Sequence, residues 1–212
     1  MKNWYRDFNF LNLERDDFSR LYITSDTHAY HKNICSGSTV WDKGADRNFV
    51  DQFEMTDALV DNINATVSSD DILVSLGDWS FGGKEKVQEF WGRINCKNVA
   101  VLFGNHDKNV WNNRDLFIWT GHYTEFRYHK TLYCLMHYPL ASWNESGRGS
   151  TMLFGHCHNN LDKSMSRGRM FDMGLDNPRW NFKPVKFTDL HEIAINTEIF
   201  VSDHHNGDLK GW

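Results

Sequence analysis

The stretch NVAVLFGNHD, residues 98–107, determines what kind of fold and site this chain can form. Its first six residues are mostly apolar, which is typical of a short buried β-strand. Asn105, His106 and Asp107 follow closely, although asparagine and aspartate are unfavourable in strands. Packing does not explain such a polar cluster at the end of a strand, so its role depends on the residues that meet it in the fold.

Four other apolar runs also end at carboxylate or imidazole side chains. The runs 20–25, 72–76, 131–136 and 151–154 are followed, in turn, by Asp26 and His28, by Asp78, by His137, and by His156 and His158. Ligand sites in open α/β sheets form at the carboxyl ends of strands, so we expect these groups to converge on one rim. Residues two apart in an extended segment point the same way, which lets both members of each pair serve one site.

The order of the predicted elements indicates an α/β fold. Strands at 20–25, 72–76 and 98–103 alternate with amphipathic helices at 49–67 and 84–95. The first of these helices has apolar residues at helical spacing, among them Phe53 and Leu59. The alternation predicts parallel strands joined by right-handed crossovers. In the second half we expect short antiparallel strands at 123–128, 131–136 and 151–154.

Length and composition exclude several classes of protein. A chain of 212 residues suits one domain with a sizeable core, and its 40% hydrophobic and 24% charged residues are ordinary for a globular protein. The net charge of −5 counts against binding of duplex nucleic acid. No apolar run approaches the roughly 20 residues of a membrane span. Residues 1–17 lack the apolar core of a signal peptide. The four cysteines contain no CxxC pair. We therefore expect a reducing, cytoplasmic setting.

The residues that follow the strands form a mixed set of oxygen and nitrogen ligands. Such a set suits Mn²⁺, Fe²⁺ or Zn²⁺ better than Ca²⁺ or Mg²⁺ alone. There is no thiolate cluster, so a structural zinc site of the Cys₄ or Cys₂His₂ kind is excluded. The set is larger than one ion with an open position would use, whereas two ions about 3.5–4 Å apart and sharing a carboxylate would use all of it.

Taken in order, these motifs resemble those of the calcineurin-like metallophosphoesterase family. They are Asp26-x-His28, Gly77-Asp78, Gly104-Asn105-His106-Asp107, His137 and Gly155-His156-x-His158. The stretch SDTHAYHKNI and the run 172–190 resemble the small bacterial and phage members, so the resemblance covers about residues 20–190. It implies a four-layer αββα sandwich, with two mixed sheets flanked by helices. We expect a single domain over 1–212, with the motif core at about 20–190 and with 1–19 and 202–212 peripheral.

The resemblance implies a role for each matching residue. The first metal ion would be held by Asp26, His28 and His158, and the second by Asn105, His137 and His156. Asp78 would bridge the two ions, for which Mn²⁺ is the first choice and Fe²⁺, Zn²⁺ or Ni²⁺ are alternatives. A metal-bridging hydroxide would attack phosphorus. His106 would protonate the leaving oxygen as general acid, with Asp107 orienting its imidazole.

The expected substrate is a phosphodiester of the nucleotide or cyclic-nucleotide type, because no cap domain is evident over the site. The alternatives are a phosphomonoesterase, a nucleotide pyrophosphohydrolase, or a catalytically silent scaffold on the same fold. A short single-stranded nucleic acid is a further candidate partner. The second motif reads GDWSFGG, without the arginine of the GDxxDRG form in the protein phosphatase branch. That difference counts against a phosphoprotein phosphatase.

Two residues outside the motifs are candidates for substrate binding. His31 follows the first motif, and Arg148 lies in the loop between the last two metal motifs. Each has an alternative as an ordinary solvated side chain. The tryptophans near the motif loops, Trp79, Trp111 and Trp143, could stack on a nucleobase, but packing in the core is the favoured interpretation.

Overall fold

Two mixed β-sheets packed face to face form the centre of the protein. The computed structural model describes residues 15–37 and 47–200, which form nine strands and four α-helices. The strands are β1 (Leu21–Thr24), β2 (Ile72–Ser75), β3 (Val99–Leu102), β4 (Trp119–Gly121), β5 (Tyr123–Tyr128), β6 (Thr131–Met136), β7 (Thr151–Phe154), β8 (Met170–Asp172) and β9 (Val185–Lys186). The helices are α1 (Gln52–Thr66), α2 (Lys84–Arg93), α3 (Lys108–Trp111) and α4 (Phe187–Ile195).

The first sheet has the strand order β4-β3-β2-β1-β9. Strands β1 to β4 are parallel to their neighbours, and β9 pairs antiparallel with β1. Both faces of this sheet are buried, because α1 and α2 cover one face and the second sheet covers the other. The parallel order predicted for the first half is confirmed, and it brings the carboxyl ends of β1, β2 and β3 to one edge.

The second sheet has the order β5-β6-β7-β8, and its strand directions differ from the prediction. Only β5 and β6 are antiparallel, whereas β6, β7 and β8 run parallel. The expectation of antiparallel strands throughout was therefore wrong. The connection from β6 to β7 spans residues 137–150, which is long enough to return to the opposite edge of the sheet. Parallel strands are what place His137 and His156 at the same edge.

Alternating side chains of the central strands fill the core between the sheets. In β6, Tyr133 and Leu135 point into this core, while Leu132 and Cys134 point to the outer face of the second sheet. Within the described residues, that outer face is covered in part by the segments around Trp143 and Leu161. The α/β fold of two mixed sheets flanked by helices is thus confirmed.

Three details differ from the sequence prediction. The first helix begins at Gln52, where Asp51 caps it by accepting hydrogen bonds from the N–H groups of Phe53 and Glu54. Phe53 is 53% exposed, although its spacing matched the buried residues. Phe18 lies in the segment expected to be peripheral, yet it is buried against Phe126. Residues 1–14 and the expected peripheral tail 202–212 lie outside the described residues.

Among the described residues, no helix combines the length and the apolarity needed to cross a membrane.

Candidate metal centre

The residues expected to bind metal all lie in loops that leave the carboxyl ends of strands. These loops follow β1, β2 and β3 in the first sheet and β6 and β7 in the second. Two hydrogen bonds from the His156 N–H to the Asp26 carboxylate, at 2.9 and 3.1 Å, join the loops of the two sheets. The structure therefore brings residues far apart in the sequence to a single edge of the sandwich.

The first group of ligand candidates is Asp26, His28 and His158. Their ligand atoms all lie within 4.8 Å of one another. Nε2 of His28 is 3.6 Å from Asp26 Oδ1, and Nε2 of His158 is 3.7 Å from the same oxygen. These distances are too long for hydrogen bonds, so the ligand atoms lie close together without bonding one another.

His28 shows that this group fits a cation. Its side chain is buried, and among the described residues neither ring nitrogen has a hydrogen-bond partner. A buried polar group that makes no hydrogen bond is destabilising unless another partner binds it. Burial lowers the pKa of His28 to about 3, so its imidazole is neutral at neutral pH. Neutral imidazole is the form that binds a metal ion.

The second group of ligand candidates lies around His137. Nε2 of His137 is 3.5 Å from Asp78 Oδ2 and 3.1 Å from Asn105 Oδ1. The same Asn105 oxygen is 3.0 Å from Nδ1 of His156. On its other side, His137 donates its Nδ1–H to the carbonyl oxygen of Leu76 at 2.8 Å. This bond fixes the tautomer and leaves Nε2 free to face the site.

Asp78 lies between the two groups. Its Oδ2 is 3.4 Å from Nε2 of His28 and 3.5 Å from Nε2 of His137. Burial, together with the nearby carboxylates of Asp107 and Asp26, raises the pKa of Asp78 to about 6. Crowding of buried carboxylates is unfavourable unless positive charge is added, and a divalent cation would supply it.

Several of the ligand candidates have a backbone conformation that is uncommon for residues other than glycine. Their φ angles lie between 47° and 69°, in the left-handed region, at Asp26, His28, Asp78, His156 and His158. Each such conformation costs on the order of 1–3 kcal/mol and persists only where the surrounding structure enforces it. The presence of five such residues among the ligand candidates marks this edge as a candidate functional region.

The glycines of the motifs allow the loops to approach one another closely. A β-carbon at Gly104 would collide with the Asp78 carboxylate, and one at Gly155 would collide with Ser25 and Asp26. These two glycines are therefore required for the ligand loops to meet.

The comparisons with known proteins agree with this geometry. The model of the calcineurin-like phosphoesterase family matches residues 19–208, most of the chain. The chain belongs to the calcineurin-like phosphoesterase family. Membership indicates a phosphoric ester hydrolase that uses divalent metal ions. Two clusters of candidate ligands fit that chemistry: Asp26, His28 and His158 form one, and Asp26, Asp78 and His137 form the other.

Three individual proteins are also similar to this chain. An uncharacterized protein of Methanocaldococcus jannaschii is 29% identical over 147 residues, which are 68% of this chain and 73% of that protein. A protein of unknown function from Aquifex aeolicus has a TM-score of 0.60 at 20% identity, covering 82% of this chain and 98% of that one, and it shares the fold. The phosphoesterase Yfce from E. coli has a TM-score of 0.39 at 18% identity, covering 73% and 78% of the two chains.

Asp107 occupies a different position in this phosphoesterase from the one expected. Its carboxylate was expected to orient the His106 imidazole. Instead it accepts hydrogen bonds from the backbone N–H groups of Asp78, Trp79 and Gly104, at 2.7 to 2.9 Å. Both oxygens are thus used to tie the loop after β2 to the loop after β3. Asp107 therefore positions the loop that carries Asp78 rather than the His106 imidazole.

The His106 imidazole packs against aromatic rings instead. Its ring centroid is 4.7 Å from that of Phe81 and 5.7 Å from that of His28. His31 stacks face to face on Phe81 at 3.7 Å, with its ring 6.3 Å from that of His106. His31 therefore lies beside the metal centre, where a substrate-binding residue is expected. Sequence analysis missed Phe81, which is an ordinary aromatic residue within the second motif.

Arg148 does not lie at this edge. It is exposed in the 3₁₀ turn just before the amino end of β7, whereas His156 follows the carboxyl end of that strand. The interpretation of Arg148 as a substrate-binding residue was wrong, because the loop from β6 crosses the sheet before the arginine is reached.

Trp79 is fully buried and Trp143 packs on the outer face of the second sheet, as the favoured interpretation predicted. Trp111 is 52% exposed.

Two further residues lie behind the ligand candidates and were missed by sequence analysis. Arg47 is buried and pairs with Asp176, and Asp176 contacts the ring of His158. Asp176 belongs to the run 172–190, which resembled the family without any residue-level role. Arg47 gave no signal at all, since it ends a polar and irregular stretch of the sequence.

Proposed function

We propose that this protein is a phosphodiesterase that holds two divalent metal ions, with Mn²⁺ as the first choice. The observation that carries the proposal is the position of Asp78, whose Oδ2 lies 3.4 Å from Nε2 of His28 and 3.5 Å from Nε2 of His137, two histidines in different groups. A carboxylate in that position suits a ligand shared by two ions. Asp26, His28 and His158 would hold one ion, and Asn105, His137 and His156 the other.

When bound, the two ions supply an activated water at neutral pH and neutralise negative charge on the phosphate oxygens. The contribution of the chain is to fix their ligands before substrate arrives. Asp107 holds the two loops that carry Asp78 and Asn105, and the His106 N–H donates to Asp78 Oδ1 at 2.9 Å. These bonds keep the shared carboxylate directed into the site.

His106 is the proposed proton donor to the leaving oxygen. Its side chain is exposed at the rim, and its ring rests against Phe81 rather than among the ligand candidates. That position lets the imidazole reach a bound substrate without binding metal. General acid catalysis of this kind contributes about 10²–10⁴-fold.

A diester is the proposed substrate class because the rim is open. Asn105, His106 and His156 are exposed, so a phosphate with groups on both sides could enter. His31 and Phe81 lie beside His106 and could contact the leaving group. We also propose that the chain forms a single domain. A cytoplasmic setting is proposed because all four cysteines are free and three of them are buried.

Hydrolysis of bis-p-nitrophenyl phosphate and of p-nitrophenyl phosphate tests the proposal. Metal-stripped protein is refilled with Mn²⁺, and His106→Ala is measured beside the wild type. We expect Mn²⁺-dependent release from the diester, lowered about 10²–10⁴-fold in His106→Ala with the bound metal unchanged. Release from the monoester alone would replace the diesterase by a phosphomonoesterase. No release from either substrate by protein with two bound ions would favour a silent scaffold.

A further inference from the structure

A buried ion pair lies directly behind one half of the metal centre. Nε of Arg47 is 2.8 Å from Asp176 Oδ1, and its Nη2 is 2.8 Å from Oδ2. The two side chains are only 2% and 11% exposed. The planar fork of the guanidinium matches the carboxylate, so the pair fixes both groups in direction as well as in distance.

Asp176 also contacts one of the ligand candidates. Its Oδ2 accepts a hydrogen bond from Nδ1 of His158 at 2.6 Å. With the proton on Nδ1, the lone pair of Nε2 faces the site, where it lies 3.7 Å from Asp26 Oδ1. A carboxylate behind a ligand histidine fixes the ring orientation and makes the nitrogen a stronger ligand.

Arg47 holds the loop that carries the other two ligands of this half. Its Nη1 donates to the carbonyl oxygen of Thr27 at 2.7 Å, and its Nη2 donates to that of Asp26 at 2.5 Å. A weaker contact joins Nη1 to Met55 Sδ at 3.7 Å, so every N–H of the guanidinium has a partner. Asp26 and His28, on either side of Thr27, are the residues with φ of 54° and 48°. Arg47 therefore stabilises a strained segment that holds two ligands in place.

In the part of the chain that is described, the other half of the centre has no arginine–carboxylate pair behind its histidines, although Asp107 ties the loop of Asn105 to the loop of Asp78 through backbone N–H groups. His156 is exposed, and its Nδ1 contacts only the amide oxygen of Asn105, which is itself a ligand candidate. His137 is oriented by a backbone carbonyl group rather than by a carboxylate. The buried pair thus acts on His158, Asp26 and His28 alone.

We propose that Arg47 and Asp176 are positioning residues that preorganise the Asp26, His28 and His158 half, so that this half binds its divalent ion more tightly than the other. The inference rests on the proposed function only in assuming that divalent ions bind at these ligands. It does not depend on the substrate or on turnover. A pair with a purely structural role would affect folding without affecting one ion more than the other.

Calorimetric titration of the metal-stripped full chain with Mn²⁺ tests this inference. Asp176→Asn keeps the size of the side chain but removes its charge, and Arg47→Lys removes the fork. We expect each variant to bind one of the two ions about 10–100-fold more weakly, with the affinity for the other ion changed by less than about threefold. Tyr133→Phe is the matched control, because it removes a buried hydrogen bond of 2.6 Å to His191 that contacts no ligand candidate. Both of its Mn²⁺ affinities should equal those of the wild type.

The outcomes separate this inference from the proposed function. Unchanged affinities in both variants, or an equal loss at both ions that Tyr133→Phe reproduces, would overturn the positioning role. Wild-type protein that binds two ions without hydrolysing either ester would overturn the function and leave the inference standing. Wild-type protein that binds no Mn²⁺ would overturn both.

A measurement on the wild type guards against variants that fail to fold. Nitrogen NMR of the metal-free protein reports which ring nitrogen of His158 carries the proton. The inference requires the proton on Nδ1, facing Asp176. A proton on Nε2 alone would contradict it.

Discussion

The two halves of the candidate metal centre are built differently. Asp26 and His28 are buried in one half, and His158 beside them is only 18% exposed. In the other half, Asn105 and His156 are exposed at the rim and His137 alone is buried. The buried half is supported by a buried ion pair. The rim half is supported by the Asp107 carboxylate, by a backbone carbonyl group behind His137 and by contacts among its own ligand candidates.

This difference separates two requirements of a phosphoesterase. A ligand set fixed before binding loses little freedom when the ion arrives, which favours affinity. Exposed ligands leave room for a substrate phosphate to join them, which favours chemistry at the rim. The buried half would therefore retain its ion, while the rim half would be the more easily exchanged.

The largest effect is expected where the two halves meet, at Asp78. Asp78→Asn removes the charge shared by both halves, so fewer than two Mn²⁺ ions should remain bound per chain. Loss of several kcal/mol of charge stabilisation corresponds to a fall of about 10³-fold in kcat/KM for the diester. Elemental analysis and steady-state kinetics measure both quantities. Two retained ions in the variant would show that Asp78 is not the shared ligand.

The comparison of the halves is sharpened by His158→Ala and His156→Ala. Each removes one imidazole, but His158→Ala also leaves the buried Asp176 carboxylate without its histidine partner. We expect His158→Ala to raise the Mn²⁺ concentration needed for half-maximal hydrolysis at least about tenfold more than His156→Ala does. The activity of each variant across a Mn²⁺ series measures this. The reverse order would mean that the rim half is the tighter one.

The ligand positions could be predicted from the sequence because each one follows an apolar strand directly. His137 and His156 were found this way, even though β6 and β7 were wrongly expected to be antiparallel. Strand direction depends on the path of the connecting loop, which the local pattern does not encode. For the same reason Arg148 was placed at the wrong end of the second sheet.

The support behind the ligands could not be predicted. Arg47 and Asp176 are 129 residues apart, and each lies in an irregular segment without periodicity. Nothing in the local composition shows that they pair. The role of Asp107 was also misjudged, since the sequence places it next to His106 but does not show that its oxygens turn towards backbone N–H groups.

A smaller effect is expected in the metal-free protein. Burial raises the pKa of Asp78 to about 6, above its value of about 3.9 in an unfolded chain. The folded state therefore binds this proton more tightly, and the stability that Asp78 contributes below about pH 4 is lost as the pH rises through about 6. At neutral pH, metal-free Asp78→Asn should be more stable than the metal-free wild type, by on the order of 2 kcal/mol. Urea unfolding at acidic and neutral pH measures the difference, and a less stable variant at neutral pH would contradict the expectation.

The smallest effect is expected at Arg148. Because it lies at the opposite edge of the second sheet and is exposed, Arg148→Ala should change kcat/KM by less than about twofold and stability by less than about 0.5 kcal/mol. The diester assay and thermal unfolding check both values. A large loss of activity would mean that the loop 137–150 reaches the substrate after all.

Anomalous diffraction from crystals of the Mn²⁺-loaded protein tests the central claim most directly. Two peaks are predicted. One should lie among Asp26, His28 and His158 and the other among Asn105, His137 and His156, with Asp78 between them. When Mn²⁺ is limiting, the first peak should be the stronger. A single peak, or a pair of peaks away from Asp78, would contradict a dinuclear centre with two unequal halves.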